Sequence, residues 1–213
     1  MPLSNSHPLH PTALKLVDTV IEMLEETSYN NIKSENVLAR SGISRGPMYH
    51  HFENFEDLIE TAQAQIYARY AGGVIVAIRS LILGQPNPWA ARKEIGTLVH
   101  IKANQNSNIL RWQCLGVLHN AASVKSFRYK LWETQEAINQ EWIKTYQICL
   151  ERGWADPTRD PRVFAYMMQS FIIGRVYDDM APMKIAQEDW IEIGLKLLDV
   201  FLFKTVKEQN QSK

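Results

Sequence analysis

The residues best suited to chemistry lie together in a short polar stretch near the N-terminus. Arg45 carries a guanidinium fork that can bind a phosphate, or the O6 and N7 atoms of guanine, through two parallel hydrogen bonds. Tyr49 and His50 follow four and five residues later, so a helix would bring their hydroxyl and imidazole groups near the same surface. Gly46 and Pro47 add little bulk, which leaves the backbone open to close approach. The pattern predicts a binding surface for a polyanion.

Two short helices are predicted to position these side chains. The first covers Ser34–Ser41 and ends at Gly42, where a left-handed residue is expected. The second covers Arg45–His51, and Ser44 is expected to cap it through the amide of Gly46. Two short helices joined by such a turn form a helix-turn-helix, whose second helix is built to enter the major groove of DNA.

Elsewhere, apolar residues recur at spacings of three and four, and alternating strand patterns are missing. A first helix is predicted over Thr12–Thr27, and a fourth begins near Phe55, is weakened at Gly72-Gly73 and ends at Gly84. The Asp160-Pro161 pair marks the start of a later helix, an acid at the cap followed by proline. The fold class is therefore all-α, with later helices over Trp89–Ala103, Ser107–Asn120, Val124–Arg152, Asp160–Met180 and Glu188–Lys207.

Residues 39–52 read Ala-Arg-Ser-Gly-Ile-Ser-Arg-Gly-Pro-Met-Tyr-His-His-Phe and are followed by Glu56-Asp57-Leu58. This long run resembles the DNA-binding head of the TetR family of bacterial transcriptional regulators, a likeness that extends over residues 12–62. The resemblance implies a helix-turn-helix domain over residues 1–54 and a ligand-binding and dimerisation domain over residues 55–213. It also implies a homodimeric regulator, most often a repressor, that binds a palindromic operator and is released by a small effector.

Matching the family motif residue by residue gives a set of expected DNA contacts. Phe55 departs from the family pattern, which commonly has a lysine there, and its ring cannot donate to a phosphate. Lys33 stands where the family commonly has Thr or Ser, so either its charge or the neighbouring serine is expected to meet the phosphate. His51 is expected to pack or to face solvent. The expected contacts are Lys33, Ser34, Ser44, Arg45, Gly46, Pro47, Tyr49 and His50.

The C-terminal helices are rich in aromatic residues, and the chain has six tryptophans. Core packing and an aromatic-lined effector cavity both account for them. The cavity interpretation favours a flat neutral molecule or a delocalised cation. Small anionic metabolites are expected to fit poorly, because Arg111 and Lys144 are expected to point outward. The predicted pocket residues are Trp112, Leu115, His119, Trp142, Tyr146, Met168 and Phe171.

The last two long helices are predicted to form the dimer interface. Val163–Tyr177 and Trp190–Phe203 are apolar nearly all round, and one helical body cannot cover both on every side. A symmetric copy would cover them, and Gly174 and Gly194 would allow close approach.

Composition limits the alternatives. With 46% apolar residues and equal numbers of basic and acidic residues, 23 each, the chain is an ordinary globular protein, and any basic surface must be local. Cys114 and Cys149 are expected to be buried thiols, which suggests a reducing, cytoplasmic setting. No uninterrupted apolar run reaches membrane-spanning length. No cofactor, metal site or catalytic set is expected, so the chain is predicted not to be an enzyme.

Two alternatives remain open. The first is an effector-independent DNA-binding protein of the same architecture. The second is an enzyme built on a helical bundle, for which the sequence suggests no substrate; the acidic pair Asp178-Asp179 lies at a predicted helix end, where carboxylates usually cap or face water.

Overall fold

The structure, a computed structural model, describes residues 9–103 and 107–201, with side chains described outside 99–107 and 201. Within these ranges the chain forms helices and no β-strand. A short 3₁₀ turn at Tyr29–Asn31, which the sequence pattern did not predict, joins the first two helices. In chain order the helices are α1 (Pro11–Glu26), α2 (Ser34–Ser41), α3 (Arg45–His51), α4 (Phe55–Gly84), α5 (Pro88–Ala103), α6 (Ser107–Ser123), α7 (Lys125–Glu151), α8 (Pro161–Gly174), α9 (Val176–Asp179) and α10 (Gln187–Phe201).

The N-terminal helices share one apolar core. α1 begins at Pro11, and the Nδ1 atom of His10 accepts a hydrogen bond from the Thr12 amide at 3.2 Å, which satisfies one of the unpaired amides of the first turn. One face of α1 packs against α2 and α3. The core contains side chains from all of the first four helices: Leu16, Val17, Val20, Val37, Met48, Phe52, Leu58 and Ala62.

The turn between α2 and α3 follows the prediction in its backbone. Gly42 has a φ of 67°, the left-handed conformation expected at the end of α2. The prediction that the Ser44 hydroxyl caps α3 was wrong, because Ser44 occupies the cap position but makes no capping bond there. Its side chain is exposed, so water can satisfy the first amides of α3. Within the turn, the Ser41 hydroxyl accepts from the Ile43 amide at 3.3 Å.

α4 continues through its glycine pair as one helix of 30 residues. By length and composition alone, this described helix could cross a membrane. Its polar side chains, however, are paired with other helices: Gln63 accepts from the buried Asn120 amide at 2.8 Å, and Arg79 pairs with Glu141. Such pairing is typical of a core helix, because polar groups inside a protein need partners.

Packing divides the chain into two compact units. The first contains the chain up to Arg69 together with Gly116–Ala137, and the second contains Tyr70–Leu115 and the chain from Ile138 onward. α4, α6 and α7 each contribute residues to both units. The predicted domain boundary between residues 54 and 55 is a statement about function, and it stays a prediction.

The predicted helix Asp160–Met180 is correct at its start and wrong at its end. The Asp160 carboxylate caps α8 by accepting from the Arg162 amide at 2.8 Å. The helix ends at Gly174, a poor helix former, and α9 follows after Arg175 as a separate turn. α10 begins close to its predicted start, whereas its predicted end at Lys207 lies outside the described residues.

The left-handed turn gives a stability prediction. Gly42→Ala should lower the free energy of unfolding by about 1–2 kcal/mol, because a side chain at positive φ is strained. Gly116→Ala is the matched control: this glycine is exposed within α6 with open space around it, so alanine should raise stability by about 0.5–1 kcal/mol. Urea denaturation followed by circular dichroism measures both, and equal shifts of the same sign would contradict the prediction.

Candidate DNA-binding surface and effector site

α3 turns two apolar side chains inward and leaves the rest of its surface open. Met48 and Phe52 are buried in the core of the first unit and fix how the helix sits on α1 and α4. The predicted contact residues on this helix are all exposed: Arg45, Gly46, Pro47, Tyr49 and His50. The geometry therefore presents the polar face of α3 to a partner.

The remaining predicted contacts lie beside this face in the chain. Lys33 is exposed at the cap position of α2, where its side chain makes no capping bond. Ser34 is half-buried as the first residue of α2, and Ser44 is exposed before α3. Both serines thus lie at helix starts, where amide groups attract phosphate oxygens.

Among the described residues, Arg45 has one partner, and it is held loosely. Its guanidinium lies 3.5 Å from the Glu35 carboxylate, and the two side chains are 63% and 67% exposed. An exposed pair of this kind contributes about 0–1 kcal/mol. A phosphate or guanine could therefore replace Glu35 with little loss. Arg40, by contrast, is held by two hydrogen bonds of 2.8 Å to Glu26.

A cluster of histidines joins the end of α3 to the start of α1. His51 is half-buried and stacks on His10 with ring centroids 4.9 Å apart, and His50 meets it edge-on at 5.0 Å. Burial lowers the pKa of His51, as do the neighbouring charges of His10 and His50. The lowered pKa favours the neutral imidazole, which packs on His10. Packing was one of the two expectations for His51, and the role of His10 was not predicted.

The start of α4 uses its residues for packing and capping. Phe55 packs against the core of the first unit, which explains an apolar residue at this position. The Asn54 side-chain Oδ1 accepts from the Asp57 amide at 2.7 Å, and the Asp57 carboxylate accepts from the Glu53 amide at 3.0 Å. Lys130 forms ion pairs with Asp57 and with Glu60.

No protein-family model and no curated protein matches this chain. Solved structures do match it in fold. A protein from Mesorhizobium loti named as a TetR-family transcriptional regulator aligns with a TM-score of 0.69 and 13% identity, over 89% of this chain and 96% of the other. A similarly named protein from Syntrophomonas wolfei aligns with a TM-score of 0.64 and 16% identity, over 92% of this chain and 97% of the other. Another, from Rhodococcus, aligns with a TM-score of 0.63 and 19% identity, over 91% of this chain and 100% of the other.

The chain has the fold of the TetR-family transcriptional regulators. The likeness covers nearly the whole of each chain, so it includes the C-terminal helices as well as the helix-turn-helix. The matched proteins are named as transcriptional regulators. At identities of 13–19% the likeness establishes the fold.

Within this TetR fold, part of the predicted effector pocket lies in the core of the second unit. Trp142 and Tyr146 are fully buried, and their rings lie 5.4 and 5.6 Å from that of Phe164. The Tyr146 hydroxyl donates to the Asp156 carbonyl at 2.7 Å. The Trp142 indole N–H is buried and has no acceptor among the described residues. Met168 is buried in the same unit.

The other predicted pocket residues are placed differently. Trp112 is 45% exposed and His119 is exposed, so neither lies in the interior of its unit. His119 also belongs to the first unit, whereas Trp142 belongs to the second. Leu115 is half-buried, and Phe171 packs against Trp190 with ring centroids 5.7 Å apart. The seven residues do not all share one interior, and their role in effector binding stays a proposal.

The expectation that Arg111 points outward was wrong. Its side chain is 5% exposed, and its Nε and Nη2 atoms each donate to the Asp179 carboxylate at 2.6 Å. Asp179 is itself 8% exposed. Because Arg111 and Cys114 take the inward positions on α6, Trp112 faces out. Lys144 is exposed as predicted, but the argument against small anions no longer holds.

Both cysteines are buried free thiols, as the sequence predicted. Burial raises the pKa of Cys114 and of Cys149 to about 12. Since the thiolate is the reactive form, neither residue is poised to act as a redox sensor.

The buried ion pair gives a second stability prediction. Asp179→Asn should lower the free energy of unfolding by about 3–5 kcal/mol, because it leaves the Arg111 cation buried without a counter-charge. Glu192→Gln is the control. Glu192 and its partner Lys196 are mostly exposed, so loss of this ion pair should lower the free energy of unfolding by less than about 1 kcal/mol. Urea denaturation measures both, and similar small losses would show that Arg111 is not held as described.

Proposed function

We propose that this protein is a ligand-responsive DNA-binding transcriptional regulator. In the proposal it is a cytoplasmic homodimer that binds a palindromic operator as a repressor and leaves it when a small effector binds. The observation that carries the proposal is the exposed polar face of α3 on a TetR fold. This face has the size and chemistry to enter a major groove.

Charge distribution supports DNA as the partner even though the chain has no net charge. Arg40 and Arg69 are held by acids of α1, at 2.8 Å from Glu26 and 2.7 Å from Asp18. Arg45 and Lys33 are not held in this way, so they are the cations that can meet phosphates or bases. The acidic side of α1 thus neutralises its own neighbours and leaves a local basic site.

The exposed apolar residues of α8 and α10 support a dimer. A symmetric copy would bury this surface, as in most homodimer interfaces. Gly194 has a role inside the protomer, because an added Cβ would lie 3.1 Å from the Phe171 ring, and its predicted role at the interface stays a prediction. Gly194 thus lets α10 approach α8. The exposed residues are Val163, Tyr166 and Met167 on α8 and Ile193 and Val200 on α10.

The proposed release mechanism uses α4 as the transmitter. Its first residues pack in the core behind α3, through Phe55 and Leu58, and the same unbroken helix continues to Gly84 in the second unit. An effector that binds beside the second half of α4 would favour one position of this helix. Such coupling requires the effector to bind the DNA-incompetent state more tightly, typically by about 1–3 kcal/mol.

The alternative is an effector-independent DNA-binding protein with the same architecture. Effector binding raises the melting temperature by mass action, so a thermal-shift screen against small molecules separates the two. Any compound that raises the melting temperature and also releases DNA supports the regulator. A protein that binds DNA and that no compound stabilises or releases would favour the alternative.

The DNA contacts give the main functional test, with duplexes selected by the wild-type protein from a random library. Arg45→Ala should weaken binding by about 1–3 kcal/mol and relax the preference at one base pair per half-site. Lys33→Ala should weaken all sequences about equally and reduce the slope of affinity against salt, since a phosphate contact is blind to sequence. Fluorescence anisotropy measures both.

Lys93→Ala provides the control for charge alone, because Lys93 is exposed on α5 in the second unit. Its affinity should equal that of the wild type. If the three variants weaken DNA binding equally, or if no duplex is selected, the assignment of α3 as the recognition helix is wrong.

The dimer is tested by light scattering at micromolar concentration. The wild type should have twice the mass of one chain, and the double variant Tyr166→Asp/Ile193→Asp should be monomeric because four buried charges would face each other. Tyr129→Asp is the matched control, since Tyr129 is exposed on α7 in the first unit. A monomeric wild type, or a double variant that remains dimeric, would contradict this interface.

A further inference from the structure

Arg175, between α8 and α9, is a cation whose environment does not fully satisfy it. The side chain is half-buried, and its Nε atom is buried without a hydrogen-bond partner in the described chain. Its guanidinium carbon lies 5.3 Å from the centre of the Trp190 ring, a cation–π contact. A buried N–H without an acceptor is destabilising, so its presence needs an explanation.

The nearest acids are already occupied by other donors. Both oxygens of Asp179 accept from Arg111 at 2.6 Å. Asp178 accepts from the Ile185 amide at 2.9 Å and from the Trp190 indole at 3.0 Å. Accordingly, burial lowers the pKa of Arg175, the Arg111 charge lowers it further, and Tyr70 and the two acids only partly oppose this. Within the described residues, no ion pair is formed by Arg175.

We propose that Arg175, with Arg111 and Tyr70 beside it, forms a recognition site for the carboxylate of a small molecule. The proposal rests on the regulator function above and names the chemical class of its effector. A guanidinium fork binds a carboxylate through two charge-assisted hydrogen bonds, which would satisfy the Nε atom and the uncompensated charge together.

The local charge favours a monoanion. The two arginines are balanced in number by Asp178 and Asp179, so a carboxylate adds one negative charge to this cluster, whereas a doubly charged phosphate would add two beside the acids. The rest of the ligand would be apolar or aromatic, because the Trp190 ring and the adjacent Phe171 ring flank the cation.

The site also touches the proposed transmitter. Tyr70 is the first residue of α4 in the second unit, and Arg111 lies near enough to oppose the rise in the pKa of Tyr70 that burial causes. A carboxylate that draws on Arg175 and Arg111 would change the charge beside Tyr70. It would therefore act on the helix whose other end packs behind α3.

The test is a thermal-shift and titration experiment on the full chain. The probes are benzoate, phenylacetate, 1-naphthoate and decanoate, each paired with its uncharged amide. At least one carboxylate should raise the melting temperature by about 2–4 °C near tenfold saturation, while its amide should not. No shift with any of the four carboxylates, or equal shifts with the amide, would overturn the proposal.

Arg175→Gln should lower the affinity for the active carboxylate at least tenfold. Arg175→Lys should bind that carboxylate with intermediate affinity, because lysine keeps the charge but lacks the planar guanidinium. Arg162→Gln is the control, since Arg162 is an exposed arginine held by Asp160 at the start of α8. It should bind like the wild type. Equal binding by all four proteins, or equal protection by inorganic phosphate at matched ionic strength, would overturn the proposal.

Two further measurements exclude a structural role. Without a probe, Arg175→Gln should melt no lower than the wild type, because it removes a half-buried cation that forms no ion pair in the described chain, and light scattering should show the same mass. A lower melting temperature or loss of the dimer would assign Arg175 to packing or to the partner copy instead. DNA binding is measured separately with the selected duplex. If the carboxylate binds but no duplex binds, the proposed regulator function is wrong and the carboxylate site is supported. If a duplex binds but no carboxylate binds, only the carboxylate site is wrong.

Discussion

A charge placed inside a helical body must find its counter-charge there, and Arg111 finds it in Asp179. This pair links α6 to α9 and brings the Asp179 carboxylate into the interior of the second unit. With Asp179 taken by Arg111 and Asp178 by an amide and an indole, Arg175 has aromatic contact but no ion pair in the described chain. Because other donors use both acids, Arg175 is the cation on which the proposed carboxylate site depends.

The sequence could predict the parts of the molecule that depend on local signals. The bounds of α2 and α3 follow from local signals, namely the cap position, the glycine at positive φ and the aromatic end of the motif. The polar face of α3 follows as well, because Met48 and Phe52 are the only strongly apolar residues of that segment and must turn inward. These predictions needed nothing from residues distant in the chain.

The burial of the residues proposed for the effector pocket was predicted less well, because it depends on residues far apart in the sequence. A pattern analysis places an arginine on the outside of an apolar helix by default, and only the acid 68 positions later makes the inward rotamer of Arg111 favourable. That single error also placed Trp112 inside. The packing of His10 on His51, and the approach of Gly194 to Phe171, are long-range contacts of the same kind. Asp178-Asp179, set aside as a solvated helix end, was the signal that could have pointed to the arginine.

The apolar residue at the start of α4 has a consequence for how such a protein would search a genome. Phe55 packs on the core in a place where the TetR-family pattern commonly has a lysine, so under the proposed function one electrostatic anchor to the DNA backbone would be replaced by core packing. Backbone anchors hold a protein on random DNA as well as on its operator. With one fewer, more molecules are unbound at any moment, and the time spent sliding on irrelevant sequence falls. Occupancy of the operator then depends more on the bases read by α3 and less on the salt concentration of the cell.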